Sequence, residues 1–595
     1  MESKRIVAVM LAIMLVMSLF AGCGPKASEE ESHENVFFAK DGILMMYETG
    51  LEAAKEVVEF TGTLHDFFTS DDLSEIYFMS SVDDFACDIY YVDMTAYNGQ
   101  LTEPVKVAND AENYALYEDG YLFYQKGSKL YLCKNGESQR ICTDAAYYYY
   151  EDDKILYIAD DLDATAYVIS LDHLDAKKKI ATGMDNLIYN SDDFSKVIYE
   201  SIVEGDQYHA YNLYEYANGD SKLIAKEIYS YSINDDGTLY YGVSTDDEAI
   251  KNRTLYDYVN DDCDDSDATE PVYSDYYITI EENGYAYETI DTERYDADYA
   301  AYSDALFREH LRERLKEADD PLAHCDVYLY ENGKSELVAS DAENFYTFCD
   351  TLFVVPMQDY TEVKAANLSE LESEDDLYDI LNSVDKDYTI YISQDGRNLD
   401  KLIDIRPSMN EVLAGLEKVG DDWYVGLYTG DDYDYEGTIT LYKAELKAGR
   451  DANLREIDEI DHWFTAGDRL FYFKDLDYES IGDFYTVEGL KPVKIDEDVC
   501  DDYDFIGKVK DGVYAYAKEG VKGEGTMYIY ENGKSVRVAD DVYEYAGLGD
   551  SLIYIKNKGD NLGDLCVWDG NESKTVETDI SVVGFGQNCR LNLQK

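Results

Sequence analysis

One short segment recurs along this chain, and it marks β-hairpins. Tyr330–Ser335 reads YENGKS and returns unchanged as Tyr530–Ser535, while looser copies lie at 133–138 and 216–221. Asn-Gly between two alternating apolar runs is a strong hairpin signal, because both central residues of a type I′ turn need positive φ. The chain is therefore expected to consist mainly of antiparallel strands joined by tight turns.

A second marker, an acidic turn residue followed by an aromatic strand, lies downstream of the hairpins, as at Asp236-Gly237 and Asp511-Gly512, and uninterrupted intervals between neighbouring markers run from 34 to 46 residues. That length holds four short strands and three turns, which is the size of one β-propeller blade. Hairpin-like segments begin near eleven positions: Tyr90, Leu130, Tyr167, Tyr214, Leu255, Tyr328, Ile390, Leu441, Phe484, Tyr528 and Leu565.

Eleven blades exceed the four to eight that usually close one ring. We therefore predict an all-β fold of tandem β-propellers, two rings of about five to six four-stranded blades with short helical insertions. Helical spacing predicts helices at Tyr47–Phe60, Tyr299–Ala318 and Glu362–Val384, which are either insertions or interdomain connectors. The predicted organisation is a signal peptide at 1–22, a lipidated polar tether at 23–36, an N-terminal propeller at 37–292, a helical connector at 293–325, and a C-terminal propeller at 326–595 with a helical insertion near 362–384.

This pattern resembles the irregular propeller repeats of TolB-like and WD-like proteins, and more closely the Tyr/Asp-rich propeller lipoproteins of Gram-positive type, whose function is unassigned. The resemblance covers roughly residues 65 to 590 and rests on the repeat pattern. The Gly-His signature of WD repeats is absent from the sequence, and Trp-Asp occurs once, at Trp568-Asp569, instead of once per repeat. Because propellers host many functions, the resemblance implies a fold and no particular activity.

The N-terminus has the three parts of an export signal. Lys4 and Arg5 precede the apolar run Ile6–Phe20, which is short for a bilayer-spanning helix but suits a signal peptide. The run ends in Leu19–Cys23, LFAGC, which resembles the lipobox of bacterial lipoproteins. That resemblance implies that Cys23 carries a diacylglyceryl group and palmitate-type acyl chains, so we expect a lipid anchor on the extracellular face of the cell membrane.

The composition is strongly acidic and rich in tyrosine. The net charge of −77 argues against nucleic-acid binding, since basic side chains supply most of that affinity. The acidic charge is explained by solubility at a cell surface. The more specific alternative is that the acidic residues capture Ca²⁺ or basic partners. The 59 tyrosines favour β structure, and stacking on sugars is the alternative for some of them.

No catalytic, cofactor or metal residue is assigned from the sequence. G-x-S-x-G, H-E-x-x-H and P-loop motifs are missing. Asp432, Asp434 and Glu436 imitate a Ca²⁺ loop, but Lys443 stands where a bidentate Glu is required. The acidic run 261–267, the glycine-rich loop at 520–525 and the seven separated histidines are best explained as solvated loops and ordinary surface or core residues. Of the nine cysteines after Cys23, Cys133 and Cys142 flank one hairpin and could pair, while buried thiols are the simpler interpretation for most.

These observations predict a lipid-anchored cell-surface protein that binds or scaffolds a protein or glycan through its propeller faces. The alternative is an extracellular propeller enzyme that acts on polysaccharide through a carboxylate cluster. With 127 acidic residues, the sequence cannot select a catalytic pair.

Overall fold

The structure is a computed structural model of the 595-residue chain. It describes residues 35–592 apart from 49–52, 71–73, 82–86, 96, 118–119, 152, 203–210, 229, 245–270, 283–284, 307–324, 357–386, 410, 431–436, 448, 478–479, 502–505, 519–524, 549–550, 558–561 and 586–590.

The strands form eleven antiparallel four-stranded units, which we call blades and number along the chain. In each blade except the first, the four strands follow one another as a meander. The first five blades contain the following strands. Blade 1 has β1 (Asn35–Lys40), β2 (Ile43–Glu48) and β3 (Lys55–Glu59), joined by β44 (Val582–Phe585), which also pairs with β45 (Leu591–Asn592); blade 2 has β4 (Thr63–Thr69), β5 (Glu75–Ser81), β6 (Cys87–Asp93) and the start of β7 (Val105–Leu116); blade 3 has the end of β7, β8 (Leu122–Lys126), β9 (Lys129–Lys134) and β10 (Glu137–Cys142); blade 4 has β11 (Ala145–Glu151), β12 (Lys154–Ala159), β13 (Ala166–Ser170) and β14 (Lys178–Ala181); blade 5 has β15 (Asn186–Asn190), β16 (Lys196–Ile202), β17 (Tyr211–Ala217) and β18 (Asp220–Ile228).

The remaining six blades repeat this plan, and one of them carries a large insertion. Blade 6 has β19 (Ser230–Ile233), β20 (Leu239–Ser244), β23 (Cys325–Glu331) and the start of β24 (Lys334–Phe348), with the hairpin β21 (Tyr277–Glu282) and β22 (Tyr285–Ile290) and the helix α1 (Thr292–Leu306) inserted between β20 and β23; blade 7 has the end of β24, β25 (Thr351–Pro356), β26 (Tyr388–Ser393) and β27 (Asp400–Ile405); blade 8 has β28 (Glu411–Val419), β29 (Asp422–Thr429), β30 (Thr438–Lys447) and β31 (Arg450–Ile460); blade 9 has β32 (His462–Ala466), β33 (Arg469–Lys474), β34 (Ile481–Glu488) and β35 (Lys491–Cys500); blade 10 has β36 (Gly507–Lys510), β37 (Val513–Lys518), β38 (Thr526–Glu531) and β39 (Lys534–Asp540); blade 11 has β40 (Val542–Leu548), β41 (Ser551–Asn557), β42 (Gly563–Trp568) and β43 (Ser573–Ile580). Short 3₁₀ turns occupy Leu171–His173, Tyr273–Tyr276 and Pro407–Met409.

Each blade buries its faces against the blades before and after it in the chain. Eleven hydrophobic clusters fill these contacts, one between each pair of consecutive blades. One of them joins blade 11 to blade 1, where Ile553 and Ile555 pack with Val36 and Phe38. The blades therefore follow one another in a circuit that returns to its start, as the mutual packing of propeller repeats requires.

The two ends of the chain close this circuit by sharing a blade. The N-terminal strand β1 pairs with the C-terminal strand β44, with Phe38 opposite Val583, and Ser581 donates its backbone N–H to the carbonyl of Ala39 at 2.9 Å. Beside this seam, Lys40 Nζ lies 2.5 Å from Glu577 Oε1. Blade 1 is thus built from residues more than five hundred positions apart in sequence.

The predicted boundary at 293–325 falls inside blade 6. β20 and β23, which flank this segment, are hydrogen-bonded neighbours, with Tyr241 opposite Tyr328. The segment is therefore an insertion between two strands of one sheet, which corrects its assignment as an interdomain connector. The packing continues from blade 5 through blade 6 to blade 7. The described contacts thus continue from blade to blade across the predicted boundary, and the number of rings stays a prediction.

One predicted helix is wrong, and one is confirmed in part. Residues 47–60 contain the end of β2 and all of β3 instead of a helix, because the β-branched pair Val57 and Val58 is fully buried against blade 2. α1 covers 292–306, so it overlaps the helix predicted from Tyr299. The helix predicted at Glu362–Val384 lies outside the described residues.

Tyrosine pairs occupy one recurring position in the core. In seven blades the second and third strands place two tyrosines directly opposite each other, with ring centroids 5.0–5.6 Å apart. The pairs are Tyr77–Tyr91, Tyr124–Tyr131, Tyr157–Tyr167, Tyr199–Tyr214, Tyr241–Tyr328, Tyr472–Tyr485 and Tyr516–Tyr528. Much of the tyrosine excess is therefore a packing feature of the repeat.

The Asn-Gly-x-Ser repeat has a structural role in the same core. Asn135-Gly136 forms the turn between the third and fourth strands of blade 3, where both residues have positive φ, and places Ser138 Oγ 2.6 Å from Tyr124 Oη. In blade 6, Tyr241 Oη donates to Ser335 Oγ at 2.8 Å. In these two blades the serine thus satisfies the hydroxyl of a buried tyrosine.

Carboxylates join neighbouring blades through tyrosine hydroxyls and lysines. Asp458 of blade 8 accepts hydrogen bonds from Tyr472 Oη at 3.0 Å and from Lys474 Nζ at 2.7 Å in blade 9. One blade further on, Asp496 accepts from Tyr516 at 2.6 Å and from Lys518 at 2.8 Å. Burial raises the pKa of both tyrosines, and the carboxylate acceptors raise it further. Both hydroxyls therefore remain protonated donors.

Candidate interaction surface

The long connections of the molecule share one side of the blades. In an antiparallel meander, the connection between strands two and three lies on the side opposite the turns that join strands one to two and three to four. The connections between strands two and three include the longest segments of the chain, 245–324 and 357–387. The opposite side has two-residue turns such as Asn332-Gly333 and Asn532-Gly533. We call the side with the long connections the loop side, and surface loops are where binding residues concentrate.

The two longest connections are rich in acidic residues. Segment 245–324 contains 24 Asp and Glu against 7 Lys and Arg, and segment 357–387 contains 10 against 2. Carboxylates at this density favour cationic ligands and disfavour phosphate-rich or other anionic ones.

The described part of the blade 6 insertion carries a row of tyrosines. The Tyr273 ring lies 4.9 Å from that of Tyr295 in a T-shaped contact, and the row continues to Tyr299 at 5.8 Å and Tyr302 at a further 5.9 Å. α1 produces this row because positions 295, 299 and 302 share one helical face. Tyr273 is 50% exposed and Tyr299 is 44% exposed. We call these four residues the tyrosine row.

A cation is already held beside this row within the chain. The Arg294 guanidinium lies 4.9 Å from the ring centroid of Tyr276, and its Nε is 3.9 Å from Asp298 Oδ2. Tyr276 Oη donates to the same Asp298 carboxylate at 2.8 Å. Asp291 begins the helix, where its side chain accepts from the backbone N–H of Arg294 at 3.2 Å. An aromatic face with an adjacent carboxylate therefore binds one side-chain cation here.

The second feature of interest is a titratable side chain, Glu417, on β28, the first strand of blade 8. Thr465 Oγ1, on the first strand of blade 9, donates to Glu417 Oε2 at 3.4 Å. Burial raises the pKa of Glu417 to about 7, and the threonine opposes this only in part. Nearby, Trp463 of β32 packs on Gly415, where an added Cβ would lie 3.1 Å from the indole. A carboxyl group with this pKa can donate a proton at neutral pH.

The protonation of Glu417 predicts a specific pH dependence of stability. Because its pKa in the folded protein lies above its unfolded value, its contribution is complete below about pH 4 and is lost as the pH rises through about 7. Glu417→Gln should therefore unfold at higher urea concentration than the wild type at pH 8, with the difference shrinking toward pH 5. The exposed Glu137→Gln is the control and should show no such trend. A pH-independent difference for Glu417→Gln would contradict this assignment.

The residues singled out from the sequence mostly lie outside the described part of the chain. This applies to the lipidation residue Cys23, to the acidic runs 261–267 and 431–436, and to four histidines: His33, His209, His310 and His324. His462 is described, and its Nδ1 lies 2.7 Å from Asp501 Oδ2. Within the described ranges, no group of three or more His, Cys, Asp or Glu side chains has the geometry to hold a metal ion.

Cys133 and Cys142 are both free thiols, so they do not form the bridge that their spacing allows. Burial raises the pKa of the Cys133 thiol to about 11 and that of Cys325 to about 12. Both remain protonated at neutral pH and are unreactive packing residues, as the simpler interpretation predicts.

Comparisons with known proteins find distant structural similarity. No protein-family model matches the chain, and neither does any curated protein. Among solved structures it is similar to tricorn protease, with 11% identity, a TM-score of 0.23, and coverage of 91% of this chain and 46% of that one. It is also similar to the β-propeller domain of the trilobed protease from Pyrococcus furiosus, with 12% identity, a TM-score of 0.22, and coverage of 73% and 99%. For TolB from Acinetobacter baumannii, the identity is 13%, the TM-score 0.20, and the coverage 36% and 59%.

The chain spans about half the length of tricorn protease. Similarity at this level carries no argument about the fold or the activity of this chain. The class of the protein rests on its own strand pairing: it is an all-β protein of four-stranded propeller blades, closed by the pairing of its first and last blade strands.

The sequence analysis identified neither the tyrosine row nor Glu417. The tyrosine row has a readable signal, the spacing 295, 299, 302 on a helix, but the predicted helix began at Tyr299 and left Tyr295 out. Glu417 has no local signal, because its burial depends on a contact with Thr465 of the next blade.

Proposed function

We propose that this chain is a lipid-anchored protein of the extracellular cell surface that binds or scaffolds a protein or glycan through the loop side of its blades. The observation that carries the proposal is the gathering of long, acidic connections on one side, while tight turns close the other. A rigid framework that presents variable loops on one face is a common basis for recognition.

The anchor is the part of the proposal that a single substitution tests. Cys23→Ser removes the only thiol in the lipobox-like segment, so the variant should be released into the medium or remain unprocessed, and it should lose lipid labelling. Among the described residues, no helix is both long and apolar enough to cross a membrane. Fractionation and mass spectrometry of the N-terminus provide the measurement. A cleaved, mature Cys23→Ser protein that still sediments with membranes would refute the anchor.

Binding is tested with the full detergent-solubilised chain on a support, incubated with envelope extract and, separately, with a glycan array. The proposed function predicts retention at about 0.1 M salt and release at about 1 M, because exposed charges are screened beyond about 10 Å already at 0.1 M. If no component of either source is retained in a salt-dependent manner, the binding function is wrong.

The second candidate function is hydrolysis of an extracellular polysaccharide, and Glu417 is the observation that favours it. Its raised pKa suits a general acid, and it lies where the first strands of two blades meet. Polysaccharide turnover that is abolished in Glu417→Gln and retained in Glu137→Gln would select this alternative over binding.

A further inference from the structure

We propose that the tyrosine row of the blade 6 insertion docks a lysine- and arginine-rich segment of a partner protein. The proposal deepens the proposed function and rests on it, since it names the surface and the chemical class of its ligand.

The blade 6 insertion exposes a surface that is suited to docking. Exposed large apolar side chains cluster in this small insertion: Val272 is 58% exposed, Tyr273 50%, Tyr277 56%, Ile278 40% and Tyr299 44%. Ring contacts make the row that contains Tyr273 and Tyr299 continuous. Contiguous exposed aromatic surface is characteristic of interaction sites, and tyrosine provides large contact area at low cost in conformational entropy.

The aromatic rings and carboxylates around the row indicate the kind of ligand that it binds. Arg294 lies between the face of Tyr276 and the carboxylate of Asp298, so ring and carboxylate jointly hold a guanidinium. Tyr273 and Tyr299 present further ring surface, and the exposed Asp296 lies one helical turn before Tyr299 on α1. A lysine or arginine of another protein would meet the same combination of groups there.

The negative charge of the insertion also favours a cationic ligand. The described part of the insertion, 271–306 apart from 283–284, carries nine acidic residues against one basic residue, so the field around the row attracts a cationic segment and repels polyanions such as nucleic acid and acidic peptides. A neutral sugar would use the rings but would gain nothing from the carboxylates. The charge complementarity therefore favours a basic peptide over a glycan.

The test measures binding of three peptides of equal length to the full chain: one rich in Lys and Arg, one rich in Glu, and one of Gly and Ser. Neutral oligosaccharides are titrated in parallel. The basic peptide should bind, more weakly as salt rises, and the other peptides should not. Tyr273→Ala combined with Tyr299→Ala should weaken the basic peptide about tenfold, because two cation–π contacts are lost while every carboxylate stays.

Matched variants separate a specific surface from a general charge effect. Tyr147→Ala removes a 63% exposed tyrosine on blade 4 and should leave affinity unchanged. The double Phe variant at 273 and 299 keeps both rings and should retain most of the affinity. The thermal unfolding midpoint of the double Ala variant should equal that of the wild type, since neither side chain belongs to a blade core.

Each contrary outcome has a distinct meaning. Equal affinity of the double Ala variant and the wild type for the basic peptide overturns the proposed surface. Loss of neutral oligosaccharide binding in that variant, without peptide binding in the wild type, makes the row a glycan site instead. Retention of an envelope component in the absence of any peptide binding leaves the proposed function intact and sinks this inference alone.

Discussion

Removing residues 581–595 should destabilise the whole molecule, because these residues supply the strand that closes the circuit of blades. Without β44, the backbone of β1 keeps only β2 as a partner, and the fully buried Val36 and Phe38 are left on an open edge next to blade 11. Burying one such side chain is worth about 1.5–3 kcal/mol, so the loss should be roughly 3 kcal/mol or more of a total stability of about 5–15 kcal/mol. Urea unfolding followed by circular dichroism measures it.

A shorter deletion is the control for this prediction. Ending the chain after Phe585 removes β45 but retains β44 and all four register pairs between β44 and β1. We expect a much smaller change in the urea midpoint for this variant. If both deletions lower the midpoint equally, or if neither does, the closing role of β44 is contradicted.

Tyr472→Ala is the point substitution with the largest expected effect. The side chain is fully buried in the contact between blades 8 and 9, stacks on Tyr485 with centroids 5.2 Å apart, and donates to Asp458. Truncation of an aromatic side chain in a core costs about 3–5 kcal/mol, and here it also removes a hydrogen bond to a charged acceptor. Denaturant unfolding should show a clear fall in midpoint.

Tyr472→Phe divides this effect between packing and hydrogen bonding. It keeps the ring and removes the hydroxyl, so it should cost about 1.5–3 kcal/mol, while Asp458 keeps its bond from Lys474. Tyr147→Ala on the exposed face of blade 4 should change stability by no more than about 0.5 kcal/mol. Equal stabilities of Tyr472→Ala and Tyr147→Ala would show that Tyr472 is not part of a tight inter-blade contact.

The hairpin pattern predicted most of the blades. Ten of the eleven hairpin positions derived from the sequence begin in the third strand of a blade, from Tyr90 in β6 to Leu565 in β42. They were readable because Asn-Gly turns and alternating aromatic runs are local signals. The remaining position, Leu255, lies in a segment outside the described residues.

The sequence did not reveal blade 1, and the reason is physical. Its strands come from both ends of the chain, and no local pattern records a pairing such as Phe38 with Val583. Taking 47–60 as a helix removed β3 from the count and concealed this blade. Without a pairing between the ends, the sequence favoured a division at the helical segment 293–325, although that segment interrupts a single sheet.

The composition showed an excess of tyrosine and of acidic residues, but it did not show which contacts these side chains make. Tyr472 and Asp458 bond across a blade contact, and Tyr124 and Ser138 bond within one blade. Both outliers of the sequence thus provide contacts that stabilise the repeat. Such contacts between distant residues follow only from knowledge of which blades are neighbours.

The closure of the circuit can be measured directly by zero-length carbodiimide crosslinking of the native protein, followed by peptide mass spectrometry of the monomer. Lys40 Nζ and Glu577 Oε1 are 2.5 Å apart, although 537 positions separate them in sequence. We therefore expect an intramolecular Lys40–Glu577 crosslink. The pairs Lys474–Asp458 at 2.7 Å and Lys518–Asp496 at 2.8 Å serve as internal standards for blade contacts nearby in sequence. Recovery of the two standards without Lys40–Glu577 in the monomer would contradict a circuit closed by the two ends of the chain.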